Sequence, residues 1–528
     1  MPPAGAQPAA GAPAVPGARV IRPRTGRNVV VMWLAFAFNV GVSFFLSPFV
    51  VHRLGNTAYG IWVLLGSLVG YMGLLDLGVR GAVMRYVARH HARGEDDEAG
   101  RIASSGLVIF GATGLVAVTA SAVIAVLVDR IFHIPADAVA VARAVVLLGG
   151  LNIALSLISG VFGGTVAAMQ RFDLASITDI VVAALRTAAI VAALSAGAGL
   201  LGLALIQLGA TLVQAGIQYA ITRRLYPQLK LRLHGVNRSR VGTILTFSVF
   251  SSLLQVSGLL IFSADSIVIG TALPVAMITF FAIAASLTDY TRSILSAISQ
   301  TMTPRASALE GLGATAELER AVLSTAALAT LIALPILLTF VVRGHSFLQL
   351  WMGPSYADRS SEVLTILSAA LAFAAARQVV AGATIGLNRH RLLVPFYLAE
   401  GVINVGLSLL WVRGLGIAGV ALGTTVPNLV TTWLVIPWVL HQTIGTGLRG
   451  IWTALWLRPF AAMIPFLAAT IGVERAWPAH NLVSFFAGVA AALPAAAAGA
   501  WFIAFTGADR KAYAARLRGL GLAKLLGR

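Results

Sequence analysis

Apolar runs of about twenty residues, the length needed to cross a bilayer core as a helix, recur from residue 28 to residue 505 and are parted by short turns or basic segments. The stretch from Phe44 to His91 sets the pattern: an apolar helix, a turn at Gly55 and Asn56, a second apolar helix with Asp76 near its end, then a row of arginines. Hydropathy and length together predict fourteen transmembrane helices, at 28–51, 60–79, 102–128, 139–162, 176–197, 199–222, 241–264, 266–290, 321–342, 361–386, 394–412, 415–440, 455–473 and 481–505. The fold expected is therefore an all-α polytopic membrane protein.

Cytoplasmic loops carry the excess of Lys and Arg, so the basic segments fix the orientation. They follow the second helix (Arg80, Arg85, Arg89, Arg93, Arg101), follow the sixth (Arg223, Arg224, Lys230, Arg232, Arg238, Arg240) and fill the C-terminal tail. The loops assigned to the other face hold little beyond Arg53, Arg130, Arg343, Arg359, Arg413 and Arg475. Both termini are predicted to be cytoplasmic, in keeping with an even number of crossings. The Pro/Ala/Gly-rich residues 1–27 read as a disordered basic tail. The apolar run that follows is too long for a signal-peptide core and reads as a retained first helix. The connections around 79–101, 223–240 and 291–320 read as amphipathic or basic interfacial segments, including a short helix on which Arg80, Met84, Val87 and His91 lie a turn apart.

Composition agrees with this picture and removes its competitors. Hydrophobic residues make up 58% of the chain and charged ones 11%, with mean hydropathy +0.88, far from the soluble range. The net charge of +19 is spread over loops and tails, not gathered on a polar module, so no nucleic-acid partner is expected. With no cysteine, disulfides and thiolate chemistry are excluded. The nine histidines lack metal-ligand spacing, and no Walker A, H-E-x-x-H or G-x-S-x-G motif occurs; no catalytic residue, cofactor or metal is expected, and the chain is not expected to be an enzyme. Pro274, Pro335, Pro427, Pro437, Pro465 and Pro494 fall within predicted spans as kink positions.

The chain also repeats itself. GGTVAAMQRFD at 163–173, ahead of the fifth span, matches AGATIGLNRHR at 381–391, ahead of the eleventh. Gly199, Gly202 and Ala204 likewise match Gly416, Gly419 and Ala421, and Asp76 with Arg80 at the end of span 2 is echoed by Asp289 with Arg292 at the end of span 8. Together these predict two six-helix lobes, 28–222 and 241–440, joined by a basic linker at 223–240 and followed by two helices at 441–505 and a basic cytoplasmic tail at 506–528.

Charged residues inside membrane spans are costly and are functional candidates by default. They are Asp76, Asp179, Arg186, Asp265, Asp289, Arg292, Arg377 and Glu400. Arg186 lies about 15 Å into span 5; it either lines a cavity and meets substrate or pairs with Asp179 two turns earlier. Arg377 either meets an anion or bridges to Glu400, one turn ahead of Asn404. Guanidinium forks match phosphate oxygens, so arginines at a central cavity suit a pyrophosphate head group. The candidate cavity residues are Arg186, Arg377, Arg292, Glu400 and Asn404. Asp76 and Arg80 are assigned to the cytoplasmic mouth, and Asp76, Asp179, Asp265, Asp289 and Glu400 are candidates for coupling to protons or sodium.

The stretch LSPFVVHRLGNTAYGIWVLLGSLVGYMGLLDLGVRGAVMRYVAR resembles the N-terminal signature of polysaccharide-biosynthesis (Wzx-type) flippases of the multidrug/oligosaccharidyl-lipid/polysaccharide exporter superfamily, with its turn at Leu54, Gly55, Tyr59 and Gly60 and its D-x-G at Asp76–Gly78. AMQRFDLAS at 168–176 and FLQLWMGPSYAD at 347–358 resemble two further family segments, and the similarity spans about 28–440. The resemblance implies a bacterial cytoplasmic-membrane flippase, a V-shaped pair of lobes that moves a lipid-linked oligosaccharide by alternating access; the mechanism then expected sets the lipid pyrophosphate against Arg186 and Arg377. Its implied partners are that substrate, membrane lipids and polysaccharide-assembly proteins, and it implies a monomer. Span 1 lacks an internal arginine, a departure from the lipid II branch. The alternatives are a cation-coupled multidrug exporter of the same superfamily and a membrane glycosyltransferase or polymerase, for which the only loop of any size is 343–360.

Overall fold

The computed structural model describes residues 25–231, 256–261, 263–505, 507 and 510. Most of the N-terminal tail, part of the basic linker, most of the predicted seventh span and nearly all of the C-terminal tail therefore lie outside the described residues. Among the described residues every regular element is a helix, and ten helical stretches are long and apolar enough to cross a membrane. Large apolar side chains such as Leu115 (68% exposed), Leu410 (70%) and Val483 (80%) point outward, an arrangement that only a lipid solvent makes inexpensive.

Six helices make up the first half: α1 (Thr25–Met72), α2 (Val79–Ala92), α3 (Asp96–Ile131), α4 (Val139–Ala168), α5 (Phe172–Ser195) and α6 (Leu200–Leu225). Two spans predicted separately form the single element α1, bent at Gly55, whose φ of 76° and ψ of 166° lie outside the range of other residues. The second half holds α7 (Ala264–Ala272), α8 (Ala276–Gly311), α9 (Thr315–Trp351), α10 (Pro354–Gly386) and α11 (Val394–Val430). Here too a glycine replaces a loop: α11 bends at Gly416 (φ 60°, ψ −141°). The C-terminal helices are α12 (Ile436–Ile444), α13 (Leu448–Trp452), α14 (Arg458–Ala462), α15 (Ile464–Ala476) and α16 (Leu482–Gly499).

Several boundaries differ from those read in the sequence. The chain breaks at Leu273–Val275, not at residue 265, so Asp265 lies in the first turn of α7 and Pro274 sits in the break. Helix α8 runs unbroken from Ala276 to Gly311, so Asp289 and Arg292 are inside a helix and do not close one. Segment 343–360, expected as a loop, is helix on both sides of Met352–Gly353; Gly353 (φ 106°) and Pro354 at the helix start make the turn. Arg343, assigned to a loop, is accordingly buried inside α9. Backbone departures from helical geometry inside long helices fall at Gly55 and Gly416, while Pro437 follows a π-helical turn at Thr431–Val435.

The chain divides into two compact units. Of the described residues, unit 1 comprises those within Met1–Leu54, Leu68–Val128 and Asp137–Ser252, and unit 2 those within Gly55–Ser67, Asp129–Ala136 and Leu253–Arg528. In unit 1 the helix at 79–92 buries Val79, Ala82, Val83 and Val87 with Phe110, Val161 and Tyr226. Small residues permit the contact, since a Cβ on Gly106 would meet Val83 at 2.8 Å. Tyr226 donates to Asp96 (2.5 Å), tying the ends of α3 and α6 together.

In unit 2, helices α8 and α10 meet along a ladder. Ser299, Thr303 and Ser307 donate to the backbone oxygens of Gln378, Gly382 and Gly386, so both helices advance one turn per rung. The bend at Gly55 brings Asn56 into this unit, where its carbonyl accepts from Thr279 (2.7 Å) and its side chain from Tyr356 (2.7 Å). A Cβ on Gly60 would sit 2.2 Å from the Val275 carbonyl. Buried Arg343 bonds Glu474, stacks on Phe485 at 4.6 Å and lies against Gly488, which fastens α15 and α16 to α9.

The matched sequence segments 163–173 and 381–391 end their helices alike. Gln170 (φ 55°) and Asn388 (φ 52°) are both left-handed, followed by bonds from Arg171 N to Val166 O and from Arg389 N to Thr384 O. After the turn they diverge. Arg171 forms a two-point pair with buried Asp173 (2.8 and 3.1 Å), which raises the affinity of its guanidinium for its proton, whereas Arg389 donates to the carbonyls of Gln442 and Thr443.

Candidate functional site

Polar side chains in unit 2 gather around the bent helix α11. Its residues Glu400, Asn404 and Ser408 recur every four positions and so share one face, and all three are buried. The bend at Gly416 returns the second arm of the helix along the first. Gly423 then lies so close to Ser408 that a Cβ there would be 2.3 Å from its hydroxyl.

Thr424 on the returning arm donates to Asp265 (3.0 Å) and lies 3.4 Å from Asn404 Oδ1, which also accepts from Ser408 (3.1 Å). Asn404 in turn donates to the carbonyl of Ile261 (2.9 Å). The result is a knot of oxygens from Asp265, Asn404, Ser408, Thr424 and the Val420 carbonyl. One turn away, Glu400 Oε1 accepts from Arg377 (2.8 Å) and from Asn428 (3.1 Å), while Glu400 Oε2 has no hydrogen-bond partner among the described residues. Arg377 also lies 4.0 Å over the ring of Tyr397. Arg292 pairs with Asp289, one turn earlier on α8.

A cavity of about 230 Å³ opens on this network, lined among others by Arg292, Arg377, Gln378, His390, Tyr397 and Asn428. Two guanidiniums here accompany three carboxylates, Asp265, Asp289 and Glu400. Both guanidiniums are already engaged by acids, while among the described residues the side-chain hydrogen bond to Asp265 comes from a neutral hydroxyl, that of Thr424.

The arginine of unit 1 is differently placed. Arg186 on α5 is half-buried and donates to Gln207 on α6 (3.2 Å). Asp179, the acid two turns earlier, accepts from Gln214 (3.0 Å), so the two do not pair: at seven residues' separation each finds an α6 amide closer. Asp76 ends a short 3-10 turn ahead of two left-handed residues, Leu77 and Gly78, and accepts from the Arg80 backbone at 3.4 Å, with the guanidinium 3.5 Å away.

The structure thus brings Asp265, Asp289, Arg292, Arg377, Glu400 and Asn404 together in unit 2 and places Arg186, Asp179, Asp76 and Arg80 in unit 1. Sequence reasoning missed Ser408, Thr424, Asn428 and Tyr397. The four-residue spacing of Asn404 to Ser408 and of Thr424 to Asn428, in otherwise apolar helix, was the available signal.

Comparison with known proteins agrees with the architecture. The chain is 22% identical over 453 residues to the uncharacterized membrane protein EpsK of Bacillus subtilis (strain 168), covering 84% of this chain and 89% of that one. Its fold resembles that of the lipid II flippase MurJ in an inward closed conformation (TM-score 0.69, 10% identity, 90% of this chain and 98% of that one). It also resembles an inward-facing multidrug resistance MATE family transporter of the MOP superfamily (TM-score 0.65, 16% identity, 80% and 98%). These structural neighbours are a flippase and a transporter, and the present chain is a multi-pass membrane protein of the same fold. The family model described as polysaccharide biosynthesis protein matches residues 25–310, more than half of the sequence, and the chain belongs to that family.

Proposed function

We propose that this protein is a flippase that carries a polyprenyl-pyrophosphate-linked oligosaccharide across the bacterial cytoplasmic membrane by alternating access, for surface polysaccharide biosynthesis. The observation that carries the reading is Arg186: a guanidinium within a membrane-crossing helix, held by a neutral amide. A charge so placed is expensive unless an anion meets it, and a pyrophosphate offers its fork the right geometry. Arg377, with Glu400 and Tyr397 already around it, serves architecture in this reading. The stretches Val31–Ala92 (62 residues) and His390–Ile444 (55 residues) are each far longer than the roughly 30 Å core. Counted as two crossings apiece about their glycine bends, and with α8 and the predicted seventh span added, they would make fourteen crossings, an even number, which the basic segments orient with both termini in the cytoplasm.

Deletion of the gene should remove one surface polysaccharide and leave its lipid-linked precursor in the inner leaflet. Wild-type chain should restore the polymer, and Arg186→Ala should not, though it reaches the membrane at normal level. Full rescue by Arg186→Ala would remove the proposed anion site.

The unbalanced carboxylate of unit 2 adds a coupling step. Asp265, with the oxygens of Asn404, Ser408 and Thr424 around it, is placed to hold a proton or a sodium ion. Sodium or acid should raise the thermal midpoint of the purified wild type in detergent, and Asp265→Asn should abolish that rise while leaving the protein folded. An undiminished rise in the variant would place coupling elsewhere. The same acidic excess is what favours a cation-coupled multidrug exporter as the second reading; efflux of a fluorescent organic cation dependent on Asp265 would support it.

A further inference from the structure

We infer that one face of α6, together with its partners on α4 and α5, is a sugar-binding wall that selects the glycan; this rests on the proposed lipid-linked oligosaccharide substrate. Gln207, Thr211, Gln214 and Gln218 follow one another at spacings of four, three and four residues, which aligns them in a stripe about 16 Å long on one side of the helix. The opposite side is made of Leu201, Leu205, Leu212 and Tyr219, all exposed and apolar except at the tyrosine tip, as a lipid-facing surface requires. Side-chain amides have no reason to survive on a membrane helix unless they face protein or water.

Each stripe residue but the last is held in place by a neighbouring helix. Gln207 accepts from Arg186 (3.2 Å), Thr211 donates to Asn152 on α4 (2.6 Å), and Gln214 donates to Asp179 (3.0 Å). The fourth, Gln218, lies over Gly163, where a Cβ would come within 3.2 Å of its carbonyl oxygen. These contacts use one polar atom of each amide. The rest remain partly open, because all four stripe residues and Asn152 are neither buried nor fully exposed. A row of amides with donors and acceptors to spare, with one hydroxyl and one carboxylate among them, complements the paired hydroxyls of a sugar; a phosphate would call for cations along the row. The cation bonded to the row, Arg186, stands at one end, beside Gln207, where the junction of pyrophosphate and first sugar would lie.

The test uses full-length protein in nanodiscs and two probes: polyprenyl pyrophosphate, and the lipid-linked oligosaccharide that accumulates in the deletion strain. Wild type should bind the glycosylated lipid at least tenfold more tightly than the bare one. Gln214→Leu/Gln218→Leu should lose about tenfold for the glycosylated lipid, two hydrogen-bonding groups' worth, with its affinity for polyprenyl pyrophosphate unchanged. Leu205→Ala, on the lipid face, should alter neither. If the double variant does not fold, Gln218→Leu alone, which disturbs no side-chain hydrogen bond seen in the structure, should show a smaller loss of the same selectivity. Equal wild-type affinities for the two lipids, or unchanged selectivity in the variants, would overturn the sugar wall while leaving the flippase reading intact. No binding of either lipid would overturn both.

Discussion

Arg377→Met is expected to destabilise the folded protein by about 3–5 kcal/mol, the usual consequence of leaving one member of a buried ion pair alone, and Arg377→Met/Glu400→Leu is expected to recover most of that loss. The reason is local. Arg377 and Glu400 are 8% and 2% exposed and 2.8 Å apart, so the lone carboxylate in the single variant would keep only Asn428 as a donor. The double variant removes both charges together and leaves the balance of Asp265, Asp289 and Arg292 as it was. Thermal midpoints of purified protein, followed by tryptophan fluorescence, would show the recovery. Polysaccharide rescue by the double variant then decides the role of the arginine: near-normal rescue is expected, because the guanidinium is spent on Glu400 and Tyr397. A stable double variant that fails to rescue would return Arg377 to the cargo site.

That outcome could not be chosen from sequence, where Arg377 and Glu400 were 23 positions apart on different spans and either reading stood. Hydropathy places charges at a depth in the membrane but says nothing of rotation about the helix axis, and rotation decides which charge meets which. Arg186 and Asp179 do share a face, but two turns of helix, about 10 Å, part them, and each bonds the α6 amide at its own level, Gln207 and Gln214. What the sequence did carry was period and punctuation. The glycine pair Gly199 and Gly416, matched in the repeat, both mark junctions between helices, one ahead of α6 and one at the bend of α11. The segments around Gln170 and Asn388 likewise fold into the same left-handed turn.

Where the sequence misled, the cause was the polarity of residues that the fold conceals. The sequence places Arg343 in a loop because arginines end spans, yet Glu474, itself held by Ser346, and the face of Phe485 meet it on α9, and α16 supplies Gly488 to make room. Glu474, its partner, is 131 residues away, beyond any local pattern. The polar ladder of α8 was hidden for the opposite reason: Ser299, Thr303 and Ser307 are ordinary residues in a membrane helix, and only the glycines across from them give them meaning.

Those glycines support the last prediction. Gly386→Ala is expected to destabilise the protein far more than Ser307→Ala, although both act on one rung of the same ladder. A Cβ on Gly386 would lie 2.3 Å from the Thr303 carbonyl, and one on Gly382 would lie 2.6 Å from that of Ser299. Backbone oxygens cannot swing aside, so α8 and α10 must part, at a cost of about 1–3 kcal/mol for each added methyl. Removing a ladder hydroxyl forfeits one interhelical hydrogen bond, about 0.6 kcal/mol in a membrane protein. Lipid tails are as apolar as the helix surfaces, so close contact between backbones, not expulsion of apolar side chains from water, holds such a pair together. Gly209→Ala, on α6 with nothing within 4 Å of the new methyl, serves as the comparison and should be neutral or slightly stabilising. Thermal midpoints and the monodisperse yield of Gly382→Ala, Gly386→Ala, Ser299→Ala, Ser307→Ala and Gly209→Ala would rank them. If the serine variants proved as damaging as the glycine ones, hydrogen bonding and not close approach would be what joins the two helices.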